Sequence, residues 1–436
     1  MELLIKTMGS DGEGIAYYNK KLVYIYYAYL NELVDVDLIL NKRGVYEGKL
    51  LKVIKPSKHR ISNRIYHDAN LFYLDYLETL NYKQSQMNYL MHKYLPNISK
   101  DIILKRIIKS PVTSNYRNKS DLPVLNINNK NRIGVYKRGS NFFIPINESV
   151  LDNNFINDTF KLILNLMDTY NINSYDRRKD SGSIVSLSVR SNLEGDLQVT
   201  FITKKEVDLT KISKELNKRN PKINSIYQNY VKNYKTNRDI YSGNLKLIFG
   251  EKYLNFKLDK YTFLLTPFSF FQLNSLQTIN LYNLIITLGD FKKNEIVLDA
   301  YSGVGSIASF ISPFVKRVVA VESIKSAVND LNKSLSINNI TNVRSIVGDI
   351  HKMHKYIKDK FDTVIFDPPR SGLSKPLINF IKNSKIKKII YASCNPETLF
   401  RDLKIFNDTY KIVSITPIDM FPGTSQIESV ALLTLK

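Results

Sequence analysis

The sequence predicts an α/β protein whose carboxyl-terminal part is a doubly wound, mainly parallel sheet with a terminal hairpin. Two observations carry this prediction. From about residue 259 onward, short apolar runs alternate regularly with helical stretches, which is typical of strand–helix–strand units. Residues 1–58 contain instead short strand-like runs separated by turn residues, the spacing expected of a small five-stranded barrel of the oligonucleotide-binding kind.

Composition shifts along the chain indicate further segments. Apolar residues between Leu71 and Lys109 recur near helical spacing. Two later runs, Ile184–Val189 and Leu197–Ile202, read as a strand pair joined by a turn. We therefore expect four segments: the barrel over 1–58, a helical segment packing on the last domain over 59–109, a mixed α/β central domain over 110–258, and the sheet domain over 259–436.

Bulk composition restricts the class of protein. Lys and Arg outnumber Asp and Glu by 63 to 40, a net charge of +23, which favours a polyanionic partner such as nucleic acid. A general lysine-rich composition is the alternative explanation. One cysteine in 436 residues excludes an internal disulfide and, with no signal-like start, indicates the cytoplasm. Five scattered histidines suggest no metal site, no apolar run is long enough for a membrane, and we expect a monomer.

Acidic residues end successive strands of the predicted sheet. Asp299 opens a glycine turn that ends at Gly305, Glu322 ends the second strand, and Asp349 and Asp367 end the third and fourth. Strand ends of a parallel sheet meet at one edge, where ligands bind, and Glu322 would accept hydrogen bonds from ribose hydroxyls. This pattern fits a nicotinamide dehydrogenase or an adenosylmethionine-dependent methyltransferase. The rigid Asp-Pro-Pro-Arg loop that follows the fourth strand favours the methyltransferase.

Cys394 is the candidate nucleophile. It follows the apolar run Ile389–Ala392, which reads as a buried parallel strand, so its thiol is expected at the reactive edge of the sheet. The alternative is a small buried core residue, which many free cysteines are. Asn395-Pro396 follows directly in place of further core residues, and this favours the nucleophile.

Several motifs together resemble one known family. These are Phe270-Phe-Gln-Leu-Asn274, the turn Asp299–Gly305, Asp367-Pro-Pro-Arg370, and Ser393-Cys-Asn-Pro396 with Arg401-Asp402. In this order they resemble the bacterial RNA (uracil-5)-methyltransferases, which use adenosylmethionine to modify ribosomal or transfer RNA. The barrel is similar to the RNA-binding TRAM domain of the ribosomal-RNA members. Residues 115–119 resemble a motif of the family's central domain, and the resemblance implies that this domain also binds RNA.

The resemblance implies a Rossmann-like class I methyltransferase domain and a role for each matching residue. Cys394 is expected to add as thiolate to uracil C6, and Glu428 to remove the C5 proton. Phe270 and Phe271 are candidates for the walls of the site of the flipped base, with ordinary core packing as the alternative for such an aromatic pair. Phe270 and Arg117 are the weaker substrate or RNA candidates. The expected S-adenosyl-L-methionine contacts are Gln272, Tyr301, Gly303, Glu322, Asp349 near the adenine, and Asp367, for which three alternatives stay open: it faces the cofactor, the uracil or both.

Two departures from the family pattern stand out. The region where many members carry a cysteine-rich iron–sulfur motif is Leu71-Phe-Tyr-Leu-Asp75 here, so no iron–sulfur cluster is expected. Gln426 occupies the place where members usually have His, two residues before the base. Glutamine keeps a hydrogen-bonding group but does not titrate near neutrality.

Other functions stay open at this stage. An RNA cytosine-5 methyltransferase would need a second cysteine, and an amino-group methyltransferase would need an aromatic residue where Arg370 stands. A non-catalytic RNA-binding protein is a further alternative. Within the favoured interpretation, the TRAM-like barrel makes 23S ribosomal RNA the expected substrate, and transfer RNA is the alternative.

Overall fold

The computed structural model describes residues 1–41, 44–98, 100–137, 140–232, 239–353 and 360–436. The strands, numbered in chain order, are β1 Glu2–Leu4, β2 Thr7–Met8, β3 Gly14–Tyr18, β4 Lys21–Ile25, β5 Leu33–Leu40, β6 Tyr46–Lys55, β7 Ile103–Leu104, β8 Lys119–Ile127, β9 Lys130–Tyr136, β10 Phe143–Pro145, β11 Ile184–Ser191, β12 Leu197–Thr203, β13 Ile223–Tyr230, β14 Asn244–Gly250, β15 Leu254–Leu258, β16 Tyr261–Leu265, β17 Ile296–Asp299, β18 Arg317–Glu322, β19 Val343–Val347, β20 Thr363–Phe366, β21 Lys388–Ser393, β22 Tyr410–Ile418 and β23 Glu428–Leu435. The helices are α1 Tyr76–Tyr94, α2 Asn154–Thr169, α3 Thr210–Arg219, α4 Ser275–Gly289, α5 Ser306–Ile311, α6 Lys325–Ile337, α7 Ile350–Met353, α8 Lys375–Ser384 and α9 Pro396–Phe406, with a 3₁₀ turn at Ser312–Phe314.

The chain divides into two compact units. The first comprises Met1–Thr113, Asn283–Asp290 and Phe361–Lys436, and the second comprises Ser114–Tyr282 and Phe291–Lys360. The domain boundaries expected at residues 58, 109 and 258 stay a prediction.

A small β-barrel opens the first unit. Its sheet has the order β1-β5-β6-β4-β3-β2. The segment Glu2–Met8 closes this sheet, because its first residues pair with β5 and its last residues pair with β3. The interior is filled by small and branched side chains: Leu3, Ile5, Ala16, Val23, Ile25, Ala28, Val34 and Val36. The strand-like runs of the first 58 residues therefore form a barrel of five strands, once β1 and β2 are counted as one bent strand.

The segment after the barrel is less helical than its spacing predicted. Among the described residues between 59 and 109, α1 is the only helix, and β7 is the only strand. It begins after Asp75, whose side chain accepts a hydrogen bond from the N–H of Glu78, and ends at Tyr94, with Leu95 as the capping residue. Pro96 follows, and a proline disfavours the helical conformation of the residue before it. The prediction of a helix from Leu71 to Lys109 was therefore wrong at both ends.

The first unit also contains the fourth and fifth predicted strands and the terminal hairpin. β20 and β21 are parallel, while β23 lies antiparallel between β21 and β22. Phe366, the last residue of β20, is in register with Tyr391, so the two strands end at the same edge. Asp367 follows β20 and Cys394 follows β21 at this edge.

The second unit contains the first three predicted strands and the central sheet. β17, β18 and β19 are parallel neighbours, and Glu322 is in register with Val347. The central sheet has the order β10-β9-β8-β11-β12-β13-β14, with α2 and α3 packed on its core. The turn at 192–196 joins β11 to β12 as predicted. Within the described parts of both units, no helix has the length and apolar character needed to cross a bilayer.

Candidate active site

In the first unit, Cys394 lies between the end of β21 and the start of α9. Asn395 caps α9, because its side chain accepts a hydrogen bond from the N–H of Glu397 at 3.1 Å, and Pro396 occupies the first helical turn. The amide of Asn395 also donates to the carbonyl of Arg370 at 2.9 Å. The local sequence thus stops the strand at the cysteine and fixes the next residue, leaving the thiol half-buried at the sheet edge.

Two carboxyl groups set the electrostatics of this thiol. Burial first, and then the negative charges of Glu428 and Asp367, raise the pKa of Cys394 to about 11, while the Arg370 guanidinium opposes the shift. The free protein therefore holds Cys394 as a neutral thiol at neutral pH. The structure also brings Cys394, Glu428 and Asp367 into one electrostatic cluster. The strand-end pattern predicted Cys394 and Asp367 at one edge, whereas Glu428 was expected from the family resemblance alone.

Glu428 is the first residue of β23 and is almost fully buried, with 2% of its surface exposed. Burial and the charge of Asp367 raise the pKa of its carboxyl well above the ordinary value, although backbone groups of Ser429 and Ser393 oppose the shift. Its Oε1 has no hydrogen-bond partner among the described residues. Ionisation of this carboxyl is therefore disfavoured, and in its ionised form Glu428 is a stronger base than an exposed glutamate.

The Asp-Pro-Pro-Arg loop is held by the buried carboxylate of Asp402, which the sequence analysis named only as part of the Arg401-Asp402 motif. Asp402, on α9, has no exposed surface. It accepts hydrogen bonds from the N–H of Leu373 and the hydroxyl of Tyr391, both at 2.8 Å, and from Nε of Arg401 at 2.8 Å. Gly372 allows this approach, because a Cβ at its position would lie 2.6 Å from Oδ2 of Asp402. Through its hydrogen bond to Leu373, Asp402 therefore holds the far end of the loop that begins at Asp367.

In the second unit, Glu322 closes the glycine turn that follows β17. Its Oε2 accepts from the N–H of Gly303 at 3.0 Å, and its Oε1 accepts from the N–H of Ile324 at 2.8 Å. Gly303 has a φ of 52°, and a Cβ there would meet only the carbonyl oxygen of Phe270, at 3.9 Å. The turn therefore presents open backbone that a ligand can approach closely.

Tyr301 and Asp349 meet through a histidine that the sequence analysis did not identify. The hydroxyl of Tyr301 lies 2.9 Å from Nε2 of His351, and Asp349 Oδ1 accepts from the N–H of His351 at 3.0 Å. The structure thus brings together two of the predicted cofactor residues. His351 follows Asp349 by two residues, which is the sequence signal that could have identified it.

The remaining predicted residues of the second unit lie near the loop after β16. Gln272 is buried, and its carbonyl accepts from the side chain of Asn118 at 2.8 Å. Phe270 is 65% exposed. Phe271 is buried against Phe256 and Phe263, which favours the core-packing alternative for this residue. Arg117 is partly buried, and its backbone bridges to residues 152 and 274.

These groups suit a nucleoside cofactor better than a metal ion. The carboxylates of Glu322 and Asp349 are acceptors for hydroxyl and amino groups, and the open turn at Gly303 admits a ligand to the backbone. The described residues contain no group of three or more His, Cys, Asp or Glu side chains that could hold a metal ion.

Comparisons with known proteins agree with this chemistry. The profile of the family described as tRNA (Uracil-5-)-methyltransferase matches residues 75–436. An uncharacterized RNA methyltransferase from Fusobacterium nucleatum is 32% identical over 447 residues, covering 100% of this chain and 96% of its own length. Another, from Lactobacillus johnsonii, is 31% identical over 445 residues with the same coverage, 100% and 96%.

A solved structure is similar over the whole chain. The Pyrococcus abyssi tRNA (uracil-54, C5)-methyltransferase, in complex with S-adenosyl-L-homocysteine, superposes with a TM-score of 0.81 at 24% identity and covers 100% of this chain and 99% of its own. This likeness confirms the predicted α/β fold with its methyltransferase domain.

Proposed function

The chain belongs to the tRNA (uracil-5-)-methyltransferase family, and on that premise we propose that it methylates C5 of a uridine in RNA through a covalent bond between Cys394 and C6. The observation that carries the proposal is the cluster at the end of β21, where a half-buried thiol shares its electrostatic environment with Glu428 and Asp367. A structural cysteine has no need of two acidic neighbours at a sheet edge.

Cys394 supplies the activation that uracil needs. C5 of uracil is a poor nucleophile, and addition of the Cys394 thiolate to C6 moves the C5–C6 electron pair into an enolate over C5 and C4. C5 then carries the electron density that an electrophilic methyl group requires. Both faces of the ring must be reached, so the uridine leaves its stack, and the exposed ring of Phe270 is suited to contact the displaced base.

Glu428 completes the reaction as the base. Removal of the proton from C5 returns its electron pair to the C5–C6 bond and expels the Cys394 thiolate, so the ring regains its original unsaturation. The raised pKa of the Glu428 carboxyl supports this role, because a carboxylate with a raised pKa binds a proton more strongly than an ordinary glutamate.

The cofactor residues are proposed from their chemistry. S-adenosyl-L-methionine, when bound, supplies a methyl group on a positively charged sulfur. Glu322 and Asp349 are suited to accept hydrogen bonds from the ribose and the adenine, with Gln272, Tyr301 and the open turn at Gly303 as further contacts. The remaining proposed contact is Asp367, whose negative charge suits the sulfonium.

Large-subunit ribosomal RNA is the substrate that we propose first, on the strength of the TRAM-like barrel. Transfer RNA is the second candidate, because the tRNA enzyme from Pyrococcus abyssi matches this chain over its full length, including the residues of the barrel. Nucleoside mass spectrometry of the separated RNA fractions from a strain lacking the gene distinguishes the two. Loss of 5-methyluridine from 23S RNA supports the first, loss from transfer RNA the second, and loss from neither contradicts both.

Two variants test the chemistry. Cys394→Ala is expected to abolish turnover with labelled adenosylmethionine while leaving the affinity for S-adenosylhomocysteine unchanged. Glu428→Gln is expected to accumulate an RNA adduct that survives denaturing electrophoresis, because the C5 proton stays in place. Absence of that adduct counts against the base assignment, and label found in cytidine supports the cytosine-5 alternative.

A further inference from the structure

The loop Asp419–Ile427 joins β22 to β23 and leads directly into Glu428. Ile418 and Glu428 are in register at the end of the hairpin, so the two ends of the loop lie side by side. Because Oε1 of Glu428 has no hydrogen-bond partner among the described residues, the position of this oxygen depends on how the backbone before it is held.

A buried lysine holds the start of this loop. Lys83, on α1, and Asp419 both have side chains with no exposed surface, and Nζ of Lys83 lies 2.5 Å from Oδ1 of Asp419. The same Nζ donates to the backbone carbonyl of Phe421 at 3.0 Å. Burial of an ion pair is costly, and an apolar pair of similar volume is often equally stable or more stable. Stability alone therefore does not explain the pair, whereas placing a loop does.

The same helix face also reaches the far end of the loop. Met87 lies one turn after Lys83, is fully buried, and its sulfur lies 3.6 Å from the hydroxyl of Ser429, the residue next to Glu428. Helix α1 therefore contacts the chain on both sides of the loop, through Lys83 at Asp419 and through Met87 at Ser429.

Asn70 fixes the middle of the loop to the barrel. Its Oδ1 accepts from the N–H of Ser425 at 3.1 Å, and its Nδ2 donates to the carbonyl of Asp11, in a turn of the barrel, at 2.6 Å. The N–H of Leu71 donates to the carbonyl of Gly423 at 2.9 Å. Three residues of the loop are thus hydrogen-bonded by the earlier part of the chain. Lys83 bonds to Phe421, Leu71 to Gly423 and Asn70 to Ser425.

We propose that Lys83 and Asn70 are positioning residues for the catalytic base, holding the Asp419–Ile427 loop so that Glu428 reaches the C5 proton of the adduct. The inference rests on the proposed function of Glu428. In this role neither residue needs to touch the substrate. A displaced base slows release of the C5 proton and leaves the earlier addition of Cys394 unchanged.

The test uses the full-length protein with three variants. Lys83→Met alone leaves Asp419 buried without its cation and is prone to unfold, so the pair is replaced together in Lys83→Met/Asp419→Leu. Asn70→Ala removes the second anchor with a smaller change. The matched control is Lys161→Met/Glu148→Leu, which removes an exposed ion pair with N–O distance 3.1 Å in the other unit.

Two RNA substrates separate the steps. With ordinary RNA, Lys83→Met/Asp419→Leu and Asn70→Ala are expected to lose on the order of 100-fold in kcat at unchanged KM, and to accumulate the denaturation-resistant adduct. With RNA carrying 5-fluorouridine, C5 has no proton to lose, so adduct formation reports the earlier steps alone and is expected to match the wild type. The control is expected to match the wild type in both.

The outcomes are distinct. A folded double variant with wild-type kcat overturns the positioning role, as does an equal loss of rate with both RNAs, which indicates a general structural defect. The Glu428→Gln protein serves as reference. If Glu428→Gln turns over normally, the base assignment fails and the positioning role fails with it. If Glu428→Gln accumulates the adduct but the Lys83→Met/Asp419→Leu and Asn70→Ala variants do not, the positioning role alone is refuted.

Discussion

The thiol of Cys394 in the free protein is expected to react slowly with alkylating agents. The chain has one cysteine, so the uptake of iodoacetamide measured by mass spectrometry reports this thiol alone. Only the thiolate reacts, and its fraction depends on the pKa. The rate of alkylation as a function of pH therefore measures how strongly burial and the neighbouring carboxyl groups disfavour the charge.

The expected magnitude follows from the shift in pKa. Raising the pKa of Cys394 from 9.0 to about 11 lowers the thiolate fraction at pH 8 by roughly 100-fold. A more basic thiolate is also more nucleophilic, by roughly tenfold over two units of pKa at a Brønsted coefficient of about 0.45. The observed rate at pH 8 is therefore expected to be roughly tenfold below that of an ordinary cysteine. The midpoint of the pH profile, near 11, is the sharper measurement.

Two substitutions test the cause of the shift. Asp367→Asn removes a negative charge that raises the pKa of Cys394, so the midpoint is expected to move to lower pH. Arg370→Gln removes the cation that opposes the shift, so the midpoint is expected to move to higher pH. Lys161→Met, an exposed change in the other unit, is the control. A wild-type midpoint at or below 9, or no response to Asp367→Asn, refutes the electrostatic explanation.

Three further predictions concern stability and the cofactor. Gly303→Ala is expected to weaken the binding of S-adenosylhomocysteine, measured by calorimetry, more than tenfold, because its methyl group enters the open space proposed for the cofactor. The free energy of unfolding is expected to fall by only roughly 1–2 kcal/mol, the cost of a left-handed conformation. Unchanged affinity contradicts the proposed cofactor site. Arg60→Met is expected to destabilise the barrel by roughly 3–5 kcal/mol in urea unfolding, since Glu32, which is fully buried, loses the cation at 2.6 Å; a loss typical of exposed pairs, below about 1 kcal/mol, refutes this. Asp402→Ala is expected to cost roughly 2–3 kcal/mol and to lower kcat without changing the affinity for S-adenosylhomocysteine, because Leu373 loses its acceptor; unchanged kcat in the folded variant contradicts its role in holding the loop.

Part of the fold was readable from local pattern. The runs at 318–321 and 389–392 are continuous and apolar, which is the signature of strands buried on both faces. Each forms the middle of a six-residue strand, β18 and β21. The prediction that Cys394 and Asp367 lie at strand ends followed, because each comes directly after, or one residue beyond, the end of an apolar run. The helix predicted from Leu71 to Lys109 failed for the opposite reason: apolar residues there pack in irregular turns, and spacing alone does not distinguish such turns from a helix.

The residues that support the site were not readable in the same way. The sequence around Lys83 is typical of a helix residue exposed to solvent, and nothing near it in the chain indicates a buried partner. Asp419 is more than three hundred residues away, and only the folding of the first unit brings the two charges together. The contact of His351 with Tyr301 spans 50 residues and that of Leu373 with Asp402 spans 29, so neither was visible in the local sequence.

By itself, the sequence determined which side chains end the strands and hence which chemical groups the sheet edge offers: one thiol and several carboxylates. Only the tertiary structure decided their protonation and their support. The pKa of Cys394 depends first on the burial of its thiol and then on the charges of Glu428 and Asp367 beside it. Desolvation is a property of the packed surroundings that no stretch of residues carries alone.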